Sequence, residues 1–239
     1  MKHTRLDKAG FTIMELMIAV TIFSLLLLLS TEVLIGIAKI YDKGVNMSNT
    51  QDVARNIIQS LSSSLQYSGQ QVEYSNANYF INGQPVNIEA ICIGDTRYSY
   101  LTGFPGTGTT WRHFLWKDIM ANPGTCWPLD IVNDATPSCD NFAADICSNS
   151  VAGSGGEMLG SNMHLAYLSV EPATSGSGSQ LYKIGVGIAY GLEDLFIANT
   201  PNSPPAYNSS IHNYMCNSGS GQQFCTTSNL YTLASERIN

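Results

Sequence analysis

The sequence predicts an α+β protein: one long N-terminal helix, a membrane-spanning half followed by an amphipathic half, packed on an antiparallel β-sheet with disulfide-tied loops. Three observations predict it. Apolar residues run almost without a break from Phe11 to Ala38. They then recur at helical spacing as far as Leu65, and after residue 70 the pattern changes to period-two alternation and Gly-, Pro- and Asn-rich turns. All six cysteines, Cys92, Cys126, Cys139, Cys147, Cys216 and Cys225, fall in that later part. The chain thus reads as four segments: a leader over 1–10, an apolar helix over 11–38, an amphipathic continuation over 39–68 and a β-rich globular region over 69–239.

The first element carries the most information. Lys2, Arg5 and Lys8 precede the apolar run, which by the positive-inside tendency keeps the leader cytoplasmic. At 1.5 Å per residue the segment from Phe11 to Ala38 makes about 42 Å of helix, more than the roughly 30 Å of a bilayer's hydrocarbon. No charge interrupts Leu16 to Thr31; Glu32 follows, then Val33-Leu34-Ile35-Gly36-Ile37-Ala38. Glu15 is therefore a lone carboxylate near the start of an apolar span, a costly placement that marks function and a specific partner.

Gly10-Phe11 followed by Glu15 resembles the N-terminus of type IV pilins and pseudopilins. In that family a peptidase cuts after the glycine, the new N-terminal Phe is methylated, and the fifth mature residue is Glu. Gly10, Phe11 and Glu15 match all three positions. The resemblance implies cleavage between Gly10 and Phe11, N-methylation of Phe11, and assembly through Glu15. Its physical basis is plain: an α-amine and a carboxylate in apolar surroundings stabilise each other side by side, and each is expensive alone. A Glu15 carboxylate paired with the Phe11 amine of a neighbouring subunit sets axial register in a filament. Three blander readings explain less. A secretory signal, with Gly36-Ile37-Ala38 as its cleavage site, tolerates Glu15 and Glu32 poorly. A plain anchor leaves the Gly10-Phe11 junction and Glu15 as coincidence, and a coiled-coil seam needs a/d spacing where this stretch is apolar all round.

In the second half of the helix Val53, Ile57, Leu61 and Leu65 recur every four residues with Ile58 beside them. Asp52, Arg55, Asn56, Gln59, Ser62 and Ser63 fill the other side. A stop is expected at Ser68-Gly69, because Gly favours the C-cap, and Gly36 and Gly44 are places where the helix can bend. Strands are expected at 79–82, 86–92, 97–101, 111–117, 164–170, 181–190 and 224–233. The clearest is 181–190, where Tyr182, Ile184, Val186, Ile188 and Tyr190 share one face and Leu181, Lys183, Gly185, Gly187 and Ala189 the other. Leu101 and Trp111 flank a Gly-rich hairpin tip, and 122–160 reads as a disulfide-tied excursion.

Six cysteines outside the membrane read as up to three disulfides, with fifteen complete pairings open. Cys216–Cys225 is the best local pair, around Ser218-Gly219-Ser220-Gly221. Cys139–Cys147 is next, which leaves Cys92–Cys126. No C-x-x-C is present, so zinc-ribbon and thioredoxin readings are disfavoured. The order of helix, Cys-containing sheet and late Cys-bounded loop looks more like minor pilins of the PilW kind, or the J-type pseudopilin of type II secretion, than a compact major pilin. Glu15 also sets the chain apart from the tip pseudopilin, which typically lacks that carboxylate.

Composition narrows the function classes. Removing Lys2, Arg5, Lys8 and Asp7 from 11 basic and 18 acidic residues leaves 8 and 17, a formal net of −9. An acidic surface without a basic cluster argues against DNA as a direct ligand. Residues 103–110 nearly spell a phosphate-binding loop, but Thr109 stands where the lysine belongs, so a turn is the better reading. There is no Gly-x-Ser-x-Gly elbow and no His-Glu-x-x-His helix, and His113, His164 and His212 are scattered. Asp130, Asp134, Asp140 and Asp145 surround Cys139 and offer oxygen ligands for Ca²⁺, but the spacing misses the EF-hand and solvated loop carboxylates are favoured. Trp111, Phe114, Trp116 and Trp127 suit core packing better than an exposed glycan- or partner-binding surface. Asn208-Ser209-Ser210 fits a glycosylation sequon.

The sequence thus points to a non-enzymatic minor pilin without a cofactor, whose partners are other pilin subunits, the prepilin peptidase and the inner-membrane assembly platform. It is expected to be a single-pass cytoplasmic membrane protein before assembly and part of an extracellular or periplasmic filament afterwards. A pseudopilin of a type II secretion or competence system is the alternative; a membrane-anchored surface enzyme is the reading of a different class.

Overall fold

The computed structural model describes residues 11–69, 71–81, 83–104, 111–121, 126–133, 136–138, 147, 150–173, 180–198, 203–219 and 221–235. The chain divides into two compact units, Met1–Asp42 and Lys43–Asn239. Helix α1 (Ile13–Ser68) is helical at both Gly36 and Gly44. In the first unit its side chains are exposed all round, with only Gly36 half-covered; Phe23 and Leu28 are 61% and 69% exposed.

In the second unit the same helix is amphipathic. Thr50, Ala54, Ile57, Leu61 and Leu65 are buried at steps of three and four, while Asp52, Arg55, Asn56 and Gln59 face outward. Ala54 takes the place expected for Val53, which packs at the edge of the stripe with Ile58. Burying Ile57, Leu61 and Leu65 contributes roughly 1.5–3 kcal/mol each. The helix ends at Ser68, and Gly69 follows in the left-handed conformation (φ 58°) that a C-cap requires.

Among the described residues the strands form two larger sheets and a two-stranded one, where a single sheet was expected. A five-stranded antiparallel sheet runs in sequence order through β1 (Val72–Ile81), β2 (Gln84–Ile93), β3 (Thr96–Tyr100), β4 (Leu115–Ile119) and β5 (Gly156–Glu157). A three-stranded antiparallel sheet places β7 (Leu181–Tyr190) between β6 (Met163–Ala173) and β10 (Thr226–Ser235), and β8 (Tyr207–Asn208) pairs with β9 (Asn213–Tyr214). β1 starts seven residues earlier than expected, because Tyr74-Ser75-Asn76-Ala77-Asn78 is held by full pairing with β2 and not by its own propensity. β4 starts only at Leu115, where Tyr100 pairs with it; the hairpin tip at 105–110 lies outside the described residues.

Both sheets contribute to one core beneath α1. Ile91, Ile93, Tyr98 and Leu115 of the first join Leu165, Leu168, Ile184, Val186, Ile188 and Ala234 of the second against Ala54, Ile57, Leu61 and Leu65. The apolar face of β7 supplies its centre. A bulge between Leu165 and Tyr167 of β6 explains why the inward residues there, Leu165 and Leu168, are three apart and not two. It also turns Tyr167 to the other face, opposite Gly187. That small-residue face accepts close packing. A Cβ at Gly185 would lie 2.8 Å from the rings of Tyr167 and Tyr231, and one at Gly187 would lie 2.7 Å from the His212 carbonyl oxygen. Asn213, fully buried, donates to the Ile188 carbonyl (3.2 Å) and to Asn229 Oδ1 (2.6 Å), which pins the β8–β9 segment to the sheet.

The other side of the five-stranded sheet is covered by the excursion after β4. Leu129, Ile131 and Val132 pack on Ala77, Tyr79, Ile81 and Ile88. Beside them lies a fully buried ion pair, in which Arg97 Nε and Nη2 donate to Asp118 Oδ1 (3.0 Å) and Oδ2 (2.6 Å). Arg97 Nη1 donates to the Trp127 carbonyl (2.9 Å), the Ser150 hydroxyl to Asp118 Oδ2 (2.7 Å), the Tyr79 hydroxyl to the Pro128 carbonyl (2.6 Å) and the Leu129 N–H to Ser99 Oγ (2.9 Å).

Cys92 is bonded to Cys126 and Cys216 to Cys225. Cys147 is also disulfide-bonded, and Cys139 lies outside the described residues. Asp130 is not a solvated loop carboxylate: it is buried, and accepts from the backbone N–H of Val132 and Asn133 (3.1 Å each) and from Asn133 Nδ2 (2.8 Å), forming a tight turn.

Two outcomes follow. Arg97→Met strands the Asp118 carboxylate in an apolar layer and is expected to lower stability by about 3–5 kcal/mol, most of which Arg97→Met/Asp118→Leu recovers; chemical unfolding of the full chain in micelles measures both. His164 sits between the rings of Phe104 (centroids 4.1 Å apart) and Phe114 (4.7 Å), and burial pushes its pKa from 6.5 down to about 4, against a hydrogen bond to the Gly191 backbone. As pH falls between those values the unfolded chain takes up this proton first, so stability falls. Glu157, whose carboxyl burial pushes up, titrates with the opposite sign, so the comparison is parent against His164→Phe. The variant is expected to lack a loss on the order of 2–3 kcal/mol between pH 7 and pH 4.

Candidate functional site

Glu15 lies in the first turn of α1, and the local sequence explains what it does there. Thr12-Ile13-Met14-Glu15 is a capping-box pattern, in which an N-terminal hydroxyl residue and an acid three positions later satisfy each other's backbone donors. The Thr12 N–H (3.0 Å) and hydroxyl (2.8 Å) both donate to Glu15 Oε2, while the Glu15 N–H donates back to Thr12 Oγ1 (3.2 Å). The Thr12 carbonyl accepts the first helical bond, from the Leu16 N–H (3.2 Å). A carboxylate in this turn also meets the positive end of the helix dipole.

Both contacts to Thr12 use the same carboxylate oxygen, so Oε1 is left outside the box. The surrounding side chains are apolar and exposed: Phe11 is 80% exposed, and Ile13, Met14, Leu16 and Met17 are each more than half exposed. The site thus combines an exposed Phe11, a helix start fixed by Thr12, and one acid held by Thr12 on an apolar surface. Such a surface needs lipid or other apolar helices around it. Length and composition make α1 long and apolar enough to cross a membrane, and none of that stretch is buried within the chain.

The remaining sequence candidates fall elsewhere. Gly10 lies outside the described residues, as do Asp134, Asp140 and Asp145, and the described Asp130 spends its oxygens on its own turn. Trp116 and Trp127 are half-buried against the excursion core, Trp111 packs there too, and Phe114 lies against the core beneath α1. Asn208 is turned inward on its own segment, accepting from the Ser210 N–H (3.0 Å). Thr12 escaped the sequence reading although its signal, Thr-x-x-Glu before an apolar run, is written out in the chain.

A family model described as the prokaryotic N-terminal methylation motif matches residues 5–31. No curated protein and no solved structure matches the chain. The motif match covers part of the leader, the Gly10-Phe11 junction, Glu15 and the first part of the unburied apolar helix, and it supports a precursor of the type IV pilin or pseudopilin kind.

Proposed function

We propose that this precursor is a minor pilin. A prepilin peptidase cuts between Gly10 and Phe11 and the Phe11 amine is methylated. Residues 11–38 hold the subunit in the cytoplasmic membrane, and the assembly platform then draws it into, or to the tip of, a type IV filament. The observation that carries the reading is the single acid in the first turn of an apolar helix whose described side chains, from Phe11 to Ala38, lie exposed. Within a bilayer such a helix is satisfied by lipid. Once extracted, it has to bury the same exposed surface against the helices of other subunits.

The amine freed at Phe11 and the Glu15 carboxylate are then both desolvated. Their pairing across two subunits is favoured because either charge left alone in that core is expensive. Glu15 Oε1, outside the capping box, is the atom available to it, and the box holds the carboxylate ready. The globular unit supplies outward-facing contacts, and the chain itself performs no chemistry. A pseudopilin of a type II secretion or competence machine is the second reading, because the same motif serves both; loss of surface filaments on deletion supports the first, loss of enzyme secretion or DNA uptake alone the second.

The box makes the test specific, because Gln satisfies it as well as Glu but carries no charge. Glu15→Gln and Glu15→Ala are both expected to be processed to a methylated Phe11 terminus and to reach the membrane, yet to fall by about tenfold or more in sheared filaments. Normal incorporation of Glu15→Gln with loss only in Glu15→Ala would reduce Glu15 to a helix cap. Mass spectrometry of the mature N-terminus and immunoblots of sheared fractions read both.

A further inference from the structure

We propose that the cleft formed by residues 111–114, 157–164 and 192–194 of the globular unit is a binding site for a neutral saccharide. The cleft encloses about 850 Å³, and Trp111, His113, Phe114, Glu157, His164 and Glu193 are among its lining residues. That volume is within the roughly 300–1,000 Å³ of ligand sites and accommodates a short oligosaccharide. The inference concerns the globular unit alone and stands apart from the filament reading.

Two imidazoles carry the argument. The Glu157 carboxylate accepts the backbone N–H groups of Phe114, Leu115 and Leu159 (3.2, 3.2 and 3.0 Å), and His113 Nδ1 lies 3.1 Å from its Oε2. With Glu157 ionised, Nδ1 is the donor of that contact and Nε2 is left as the ring's acceptor; Nε2 is buried and has no partner. His164, wedged between Phe104 and Phe114, has one ring nitrogen on the Gly191 backbone, while its Nδ1 is likewise buried without a partner. Burial keeps that ring neutral at physiological pH, so its Nδ1 is an acceptor. Two buried nitrogens without a partner, on side chains lining one cleft, are costly until a ligand pairs with them.

The chemistry of the walls selects the ligand. Trp111 and Phe114 meet edge-to-face with centroids 5.4 Å apart, an aromatic wall against which the C–H face of a sugar ring packs. An anion meets Glu157, Glu193 and Asp194 with only Arg112 to offset them. A metal ion is poorly served, because among the described residues no three His, Cys, Asp or Glu side chains gather to hold one. A purely apolar ligand leaves both nitrogens unpaired. A hydroxyl donates to a neutral imidazole and accepts from a charged one, so it suits His113 in either state and His164 in its neutral one. The rim adds Asn162, an exposed amide whose backbone sits in the left-handed region (φ 59°) and whose carbonyl accepts from the Gly191 N–H (3.0 Å).

Saturation-transfer NMR on the full chain tests this, in phosphocholine micelles so that no detergent sugar competes. The probes are cellotriose, maltotriose, mannotriose, N-acetylchitotriose and lactose, with tetramethylammonium as a cationic control. Transfer to ring protons of at least one saccharide is expected, weakened roughly tenfold in Trp111→Ala, which removes the stacking face, and in His164→Phe, which keeps the packing but removes the nitrogen. Trp111 is only half-buried, so that variant keeps the test valid if His164→Phe does not fold. Silence from all five saccharides, binding unchanged in both folded variants, or preference for tetramethylammonium each overturns the proposal; the last makes the cleft a cation site.

Discussion

Arg97 and Asp118 face each other directly across the β3–β4 pair, away from water, and that ion pair decides how the outer side of the five-stranded sheet is built. Two charges in an apolar layer are tolerated only when every donor and acceptor is used. Nε and Nη2 use the carboxylate; Nη1 is left, and it takes the Trp127 carbonyl. The carboxylate in turn takes the Ser150 hydroxyl. Trp127 and Ser150 are therefore tied to one point, and Leu129, Ile131 and Val132 pack on the sheet beside them. Cys92–Cys126 adds a covalent tie from β2 to the same segment.

The first unit obeys a different constraint. Its described residues from Phe11 to Ala38 are predominantly apolar, and their side chains are exposed. The polar contacts at its start are local: Thr12 and Glu15 satisfy each other across one turn. This changes how the acid is understood. It is already held by Thr12 with one oxygen committed, so in the pairing proposed above a partner charge would meet a pre-organised group at little cost in side-chain entropy. Helix capping and charge pairing are thus compatible uses of one side chain.

How much of this was legible follows from the range of each signal. The helix, its stop at Ser68-Gly69 and the strand at 181–190 were legible because period, Gly and alternation act over a few neighbouring residues. β1 was missed at 72–78 because pairing with β2 overrides a polar, Asn-containing stretch. The β6 bulge falls inside the strand expected at 164–170 and interrupts its alternation, which the sequence did not reveal. Arg97 and Asp118, 21 residues apart, look like ordinary surface charges until the β3–β4 register sets them opposite. His113 and Glu157 are 44 apart and are joined only when β5 closes on β4. Asp130 read as a solvated acid because local sequence does not reveal that the excursion folds inward over it.

The core beneath α1 has one further consequence. Ala54 and Ala234 belong to the same apolar cluster, though 180 residues separate them, and β10 completes the sheet whose central strand, β7, supplies the middle of that cluster. A chain threaded across a membrane from its N-terminal side cannot close this layer until its final strand has emerged. During that interval the sticky face of residues 54–65 stays uncovered while the anchor is already seated, so translocation favours whatever shields nascent segments from self-association. Local closures such as Cys216–Cys225, nine residues apart, need no such wait. The layer beneath α1 is thus closed by its contact of longest sequence separation, between the helix and β10.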